Sequence, residues 1–85
     1  MTRESRIAGT IFRAGNPLGQ AFVWCAGPSG EFVAEVRSED DGTYELYVNP
    51  GDWNVTAFAA GTDRVEKTAH VTGPGVTRLD FELAG

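Results

Sequence analysis

One cysteine and one histidine are the side chains of this sequence best suited to nucleophilic chemistry. Cys25 is the only thiol and His70 the only imidazole among the 85 residues. A reactive thiol needs solvent access and a nearby base or cation that lowers its pKa. Side-chain alternation along the predicted strands places Cys25 in an inward-facing set and His70 in an outward-facing one. We therefore expect Cys25 to be a small buried hydrophobe and the chain not to be an enzyme.

The acidic run Glu39-Asp40-Asp41 is the one cluster that could attract a cation. Hard cations such as Ca²⁺ prefer clustered oxygens, but dedicated loops space their ligands at alternate positions. The run lacks that spacing and precedes Gly42, which favours a solvated hairpin tip. A single cysteine also excludes a cysteine-based zinc site and an intramolecular disulfide. We expect no metal and no cofactor.

Charge and hydropathy narrow the range of partners. Seven Lys and Arg residues against twelve Asp and Glu give a net charge of −5, and no basic stripe is present to neutralise phosphates. We therefore expect no nucleic-acid partner. No apolar run approaches the ~20 residues of a membrane span. The polar segment 1–6 has no apolar stretch behind it, unlike a signal peptide, so the simplest expectation is a cytoplasmic protein without membrane contact.

Turn signals divide the chain into short segments that suit strands and not helices. Eleven glycines and four prolines cluster in turns that recur every ten to fifteen residues or so, the cadence of a sandwich or barrel. No window between them carries a sustained 3.6-residue period. Seven strands are predicted at about 6–13, 20–26, 31–38, 43–49, 53–60, 65–72 and 76–83.

Alternation within these strands predicts two sheets packed face to face. In the last strand, Leu79, Phe81 and Leu83 alternate with Arg78, Asp80 and Glu82, so one face is apolar and the other charged. The predicted fold class is all-β, a seven-stranded antiparallel β-sandwich. We expect one domain over residues 6–84, preceded by a disordered tail at residues 1–5.

Four segments in order resemble the carboxypeptidase regulatory-like domains, which belong to the prealbumin-like (transthyretin-like) sandwiches. The segments are Ile7–Ile11, Pro17–Val23, Asp41–Leu46 and Asn49–Ala57. Gln20–Val23, Glu31–Val36 and Pro50–Trp53 are also similar to an actinobacterial family labelled SseC-like, which is tied to sulfur metabolism. The resemblance implies a Greek key in which predicted strands two, three, five and six form one sheet and strands one, four and seven the other.

Enzymes with prealbumin-like folds need residues that this chain lacks. The ring-opening hydrolase of purine breakdown uses several histidines and a C-terminal Tyr-Arg-Gly-Ser, whereas this chain has one histidine and ends Leu83-Ala84-Gly85. Intradiol dioxygenases bind iron through two tyrosines and two histidines. Self-forming isopeptide bonds need a lysine on the first strand, whereas the only lysine is Lys67. The resemblance thus adds no catalytic residue.

The second predicted strand is apolar on both faces, which leaves bulky side chains outside the core. The resemblance implies that Ala21, Val23 and Cys25 face inward, so Phe22 and Trp24 face outward. In the implied strand order, Phe58 and Val33 join them from the neighbouring strands, and Phe32, on the face opposite Val33, points inward. We predict that Phe22, Trp24, Phe58 and Val33 form an interaction surface, because aromatic residues concentrate at interface centres. Cross-strand pairing that only stabilises the sheet is the alternative role.

Three functions remain open from the sequence. The first is a non-catalytic protein-interaction module, either a homodimer or a partner docked onto another protein. The second is a carbohydrate-binding or adhesive module, in which Glu35, Asn54 and Thr56 would supply polar groups beside the exposed aromatic rings. The third, a sulfur relay through Cys25, is the least favoured because nothing in the sequence lowers the pKa of that thiol.

Overall fold

A computed structural model describes residues 5–85, and these residues form nine β-strands and no helix. Residues 1–4, which with Ser5 make up the predicted tail, lie outside the described part. Accordingly, no helix in residues 5–85 is long and apolar enough to cross a membrane. The strands are β1 (Ser5–Arg13), β2 (Asn16–Pro17), β3 (Phe22–Ala26), β4 (Phe32–Arg37), β5 (Thr43–Tyr47), β6 (Gly51–Phe58), β7 (Val65–Val71), β8 (Gly75–Arg78) and β9 (Phe81–Leu83).

The strands form two sheets, as the alternation predicted. The first sheet has the order β2-β1-β5, with β8 and β9 also paired to β1, and the second has the order β4-β3-β6-β7. The division of the predicted strands between the two sheets is confirmed. The strand count is nine and not seven, because β2 is an additional two-residue strand and the last predicted strand is split into β8 and β9. These two strands run parallel to β1, whereas the other pairings are antiparallel.

The split between β8 and β9 arises where the chain crosses close to β1. The Leu79 N–H donates to the carbonyl of Ala8 at 2.9 Å, and the Thr10 N–H donates to Oδ1 of Asp80 at 2.8 Å. The Asp80 side chain thus replaces a backbone acceptor, and the regular ladder is interrupted for two residues. Gly9 lies under this crossing, where a Cβ would stand 2.6 Å from the carbonyl carbon of Leu79. The close approach therefore requires glycine.

The core lies between the sheets and is built from alternate residues of each strand. On β5, Tyr44 and Leu46 are buried while Thr43, Glu45 and Tyr47 are exposed, so the predicted alternation is confirmed there. Burying such side chains contributes about 1.5–3 kcal/mol each. The buried hydrophobic residues are Ile7, Ile11, Ala21, Val23, Cys25, Tyr44, Leu46, Val48, Val55, Ala57, Ala69, Val71, Phe81 and Leu83.

Ser38 ties the second sheet to the loop that leads into β3. Its side chain is buried, and its hydroxyl donates to the carbonyl of Leu18 at 2.6 Å while accepting from the N–H of Ala21 at 2.9 Å. Both backbone groups are thereby satisfied without a ladder partner, which is the usual condition for burying them. This link fixes the start of β3 and therefore the direction in which its side chains point.

Candidate functional site

The outer face of the second sheet carries an aromatic cluster formed by Phe22, Trp24 and Phe58. Phe22 and Trp24 lie on β3, and Phe58 is the last residue of β6. Val23 and Cys25, which alternate with the two β3 aromatics, have no solvent exposure. The antiparallel register places Phe22 opposite Phe58. The predicted outward direction of the three rings is thus the one the structure shows.

The three rings contact one another across the two strands. Phe22 and Phe58 stack with their centroids 5.2 Å apart and their planes 18° apart. Trp24 meets Phe58 edge to face, at 4.7 Å and 82°. Each pair in such a geometry contributes about 0.5–1.5 kcal/mol beyond the burial of its area. All three rings are partly buried, so the cluster also stabilises the sheet on which it lies.

Two arginines cover the cluster from opposite sides. The guanidinium carbon of Arg37, on β4, lies 4.6 Å from the centroid of Phe22. That of Arg64, in the loop before β7, lies 4.4 Å from the centroid of Phe58 and 5.1 Å from that of Trp24. A cation above an aromatic ring gains about 0.5–1 kcal/mol at an exposed site. The result is a row across the sheet in which Arg37 and Arg64 flank the stacked rings of Phe22 and Phe58.

Trp24 is also held by a hydrogen bond from its polar edge. The indole Nε1–H donates to Oε2 of Glu35 at 2.5 Å, and the register places these two residues opposite each other. A buried or half-buried indole usually finds such a partner for its N–H. This bond fixes the orientation of the ring, and Trp24 is therefore a rigid part of the face.

A bulge in β4 changes which of its residues join this face. The predicted alternation put Val33 outside and Phe32 inside, but the register shifts between Cys25 and Ala26, so that Ala26 pairs with Phe32. Phe32 consequently lies on the outer side, edge to face with Trp24 at 6.2 Å. Its side chain is 61% exposed, and Val33, at the bulge itself, is 47% exposed. The inward placement of Phe32 is wrong, because one extra residue in a strand reverses the faces beyond it.

The structure thus adds three residues to those predicted for this surface. Arg37 has the outward parity of Glu35, so its position could be inferred from the sequence, but its contact with a ring could not. Arg64 lies in a loop, where alternation gives no direction. Phe32 was missed because no residue type around it marks the bulge.

Cys25 and His70 are separated by the sheet. Cys25 lies on the inner face of β3 with no solvent exposure, and burial raises the pKa of its thiol from the ordinary 9.0 to about 11. His70 lies on the outer face of β7, where Nδ1 contacts the Asp52 carboxylate on the neighbouring strand. A thiol with a raised pKa carries little thiolate at neutral pH. The arrangement therefore gives no activated nucleophile at Cys25.

The acidic run forms a turn closed by its own hydrogen bonds. Oδ1 of Asp41 accepts from the N–H of Thr43 at 3.0 Å and from its hydroxyl at 2.7 Å. These bonds lower the pKa of the Asp41 carboxyl. Within residues 5–85, no three His, Cys, Asp or Glu side chains are grouped so that they could hold a metal ion. The run is a solvated turn, as predicted, but not a hairpin tip, because the strands it joins, β4 and β5, belong to different sheets.

A groove of about 530 Å³ opens beside the candidate surface, between β4 and the strands β1, β5 and β8 of the first sheet. Charges of both signs surround it, and the buried Tyr44 lies at its base, with its hydroxyl donating to the carbonyl of Leu79. The lining residues include Arg37, Glu39, Glu45 and Arg78. Arg37 is therefore shared between this groove and the aromatic cluster.

Stability should fall at alkaline pH because of Cys25. Well below pH 9 the thiol is protonated in both the folded and the unfolded chain. Between pH 9 and about 11 it ionises mainly in the unfolded chain, so the free energy of unfolding decreases. The loss should reach about 2–3 kcal/mol near pH 11. Urea denaturation between pH 7 and 10.5 measures it. In the Cys25→Ala variant, the free energy of unfolding should fall less steeply between pH 9 and 10 than in the wild type. The same slope in both proteins would show that Cys25 is not the cause of the loss.

Comparison with known proteins places the chain in a family. Residues 1–83 match the family described as "Protein of unknown function (DUF1416)". The chain belongs to this family. An uncharacterized protein of Mycolicibacterium smegmatis is 34% identical over 86 residues, covering 99% of this chain and 93% of the relative. Uncharacterized protein Rv0814c of Mycobacterium tuberculosis is 27% identical over 84 residues, which cover 98% of this chain and 83% of that relative.

Solved structures with the same fold share little sequence with the chain. The Bacillus anthracis TIE protein matches 98% of it with a TM-score of 0.84 and 10% identity, and the chain spans only 18% of that protein. The dioxygenase domain of a dioxygenase carbohydrate-binding protein fusion from Streptomyces sp. SirexAA-E matches 99% with a TM-score of 0.68 and 17% identity, over 81% of that domain. At such identities the likeness concerns the β-sandwich fold and not the chemistry.

Proposed function

We propose that this chain is a non-catalytic protein-interaction module, which binds a second copy of itself or another protein through the outer face of its second sheet. The observation that carries the proposal is the continuity of the aromatic cluster with the exposed side chain of Phe32. Phe32 contacts Trp24, and both Phe32 and Val33 are about half exposed. Contiguous apolar patches with aromatic centres are typical of protein interfaces.

The geometry of this face supports binding and not merely sheet stabilisation. Stacking, the Glu35 hydrogen bond and the two arginines hold the rings in one arrangement. A rigid surface loses little conformational entropy when a partner binds. Trp, Phe and Arg together match the composition of interface centres. The buried thiol of Cys25, with its raised pKa, supports a non-catalytic role.

The kind of sandwich and the metabolic role of its partner are proposed from the resemblance described above. We propose that the chain is a prealbumin-like sandwich of the SseC-like kind, and that its partner takes part in sulfur metabolism. A single buried cysteine also suits the reducing conditions of the cytoplasm, where we place the protein.

The test removes the apolar part of the surface without touching the core. Phe32→Ser combined with Trp24→Thr should abolish self-association in sedimentation velocity, or abolish recovery of a partner when the tagged protein is purified from its native host. The matched control is Tyr47→Ser with Val76→Thr, since these two side chains are 53% and 52% exposed on the outer face of the first sheet. Circular dichroism should show both variants folded.

Two results would count against the proposal. Equal association of the wild type, the double variant and the control would exclude this face as the interface. Glycan-array binding by the wild type that is lost in the Phe32 and Trp24 variant would favour the carbohydrate-binding function over the protein-binding one.

A further inference from the structure

Arg37 and Arg64 have no acidic partner within residues 5–85, although the chain carries a net charge of −5. The ion pairs in this part of the chain join Arg6 to Glu45 and Arg78 to Asp80, and the imidazole of His70 contacts Asp52. Arg37 and Arg64 instead contact rings of the aromatic cluster. Two exposed guanidinium groups that form no ion pair within residues 5–85 therefore lie on this face of an acidic protein.

The stacked arginines remain able to bind a carboxylate. A guanidinium is planar and carries five N–H donors along its edges, so stacking on a ring occupies its plane and leaves the edge donors available. Neither Arg37 nor Arg64 donates a side-chain hydrogen bond to any group in residues 5–85. Arginine binds a carboxylate with two parallel hydrogen bonds when its fork is oriented. The rings supply that orientation.

The face is polarised along β3. Arg37 lies opposite Phe22, Glu35 lies opposite Trp24, and Phe32 lies opposite Ala26. Glu35 is already engaged by the indole N–H. From Phe22 to Ala26 the strand advances four residues, or about 13 Å. A cationic end and an exposed apolar end are therefore separated by the length of a short extended peptide.

We propose that this face binds an extended acidic segment of a partner protein, which sets one carboxylate against Arg37, another against Arg64, and an apolar side chain against Phe32 about four residues further on. The inference rests on the proposed interaction function and names the chemistry of the partner. Charge complementarity carries it, since both arginines are exposed, are held against the rings and form no ion pair with a carboxylate within residues 5–85. A partner with basic residues at that end would instead meet like charges.

The experiment uses two fluorescein-labelled ten-residue peptides that differ in charge at one end. The first has two glutamates followed, four residues later, by leucine and phenylalanine; in the second, glutamine replaces both glutamates. Fluorescence anisotropy with the full chain should show the glutamate peptide binding at least about tenfold more tightly. Its affinity should fall as salt is raised from 50 to 300 mM, because exposed charges are screened.

Variants of the chain assign the effect to the two arginines. Arg37→Gln and Arg64→Gln should each weaken binding of the glutamate peptide about fivefold and leave the glutamine peptide unaffected. Arg78→Gln removes the same charge from the opposite sheet and should change the affinity of neither peptide. Arg64→Lys keeps the charge without the planar fork, so it should restore only part of the affinity. Thermal melts establish that each variant is folded.

Equal binding of the two peptides, or no binding of either, would overturn the acidic-segment proposal. Equal losses of affinity for the glutamate peptide in Arg37→Gln and Arg78→Gln would also overturn it. If such a result accompanies loss of association in the Phe32 and Trp24 variant, the interaction surface stands and only the chemistry assigned to its partner is wrong.

Discussion

Replacing Gly9 by alanine should cost on the order of 3–5 kcal/mol, a large share of the ~5–15 kcal/mol that stabilises a small domain. The added Cβ would lie within 2.6 Å of the Leu79 carbonyl carbon and 2.8 Å from Oδ1 of Asp80. Relief requires β1 to move away from the crossing, which breaks the bonds from Leu79 to Ala8 and from Thr10 to Asp80. Overpacking costs about 1–3 kcal/mol, and each partly buried bond lost adds to it.

Gly73→Ala is the matched control, because no atom lies within 4 Å of the position its Cβ would take. We expect its stability to stay within about 0.5 kcal/mol of the wild type. Guanidinium denaturation followed by tryptophan fluorescence measures both variants. A Gly9→Ala protein less than 1 kcal/mol below the wild type would show that the crossing can relax, and that the close approach does not constrain the fold.

The thiol of Cys25 should react with a disulfide reagent at least about 1,000-fold more slowly in the native protein than in the denatured chain. Its side chain has no solvent exposure, so labelling requires opening of the sandwich. At a stability of ~5 kcal/mol or more, the open form makes up about 0.02% or less of the population. The raised pKa of about 11 means that the closed form itself carries little thiolate at neutral pH.

A surface thiol provides the reference rate for this measurement. Cys25→Ala combined with Ser29→Cys moves the thiol to an exposed turn position, where it should react within the range of the denatured protein. Native labelling of Cys25 at a similar rate would revive the sulfur relay that the sequence left open as its least favoured function. Protection of Cys25 would leave the outer face of the second sheet as the surface to study.

The face proposed to bind a partner also contributes to the stability of the fold. The cluster rings contact each other across β3 and β6, and the arginines cover them. Part of their contribution is therefore to sheet stability, the alternative that the sequence also raised for these residues. The exposed Phe32 is the position where binding can be altered with least effect on the sheet. For this reason the association test changes Phe32 together with only one ring of the cluster, Trp24. The peptide test relies on the arginine edges, and neither test changes Phe22 or Phe58.

The alternation of apolar and polar residues along each strand was sufficient to predict most of the fold. Alternation on β5 and β9 identified which side chains enter the core, because a strand that buries one face cannot exchange it for the other without exposing apolar surface. The resemblance supplied the division of strands between sheets, which the structure confirms. The outward positions of Phe22, Trp24 and Phe58 followed from these two arguments together.

The remaining features depend on contacts between distant parts of the chain. The sequence around Phe32 does not mark the bulge that turns it outward, and Arg64 reaches the rings from a loop whose path is set by the packing of β6 and β7. The split between β8 and β9 exists because Asp80 caps the Thr10 N–H, 70 residues away. By itself, the sequence determined which faces are apolar. The tertiary structure decided which side chains meet on the outer face, since register, bulges and loop paths are set by packing between strands and not by their local composition.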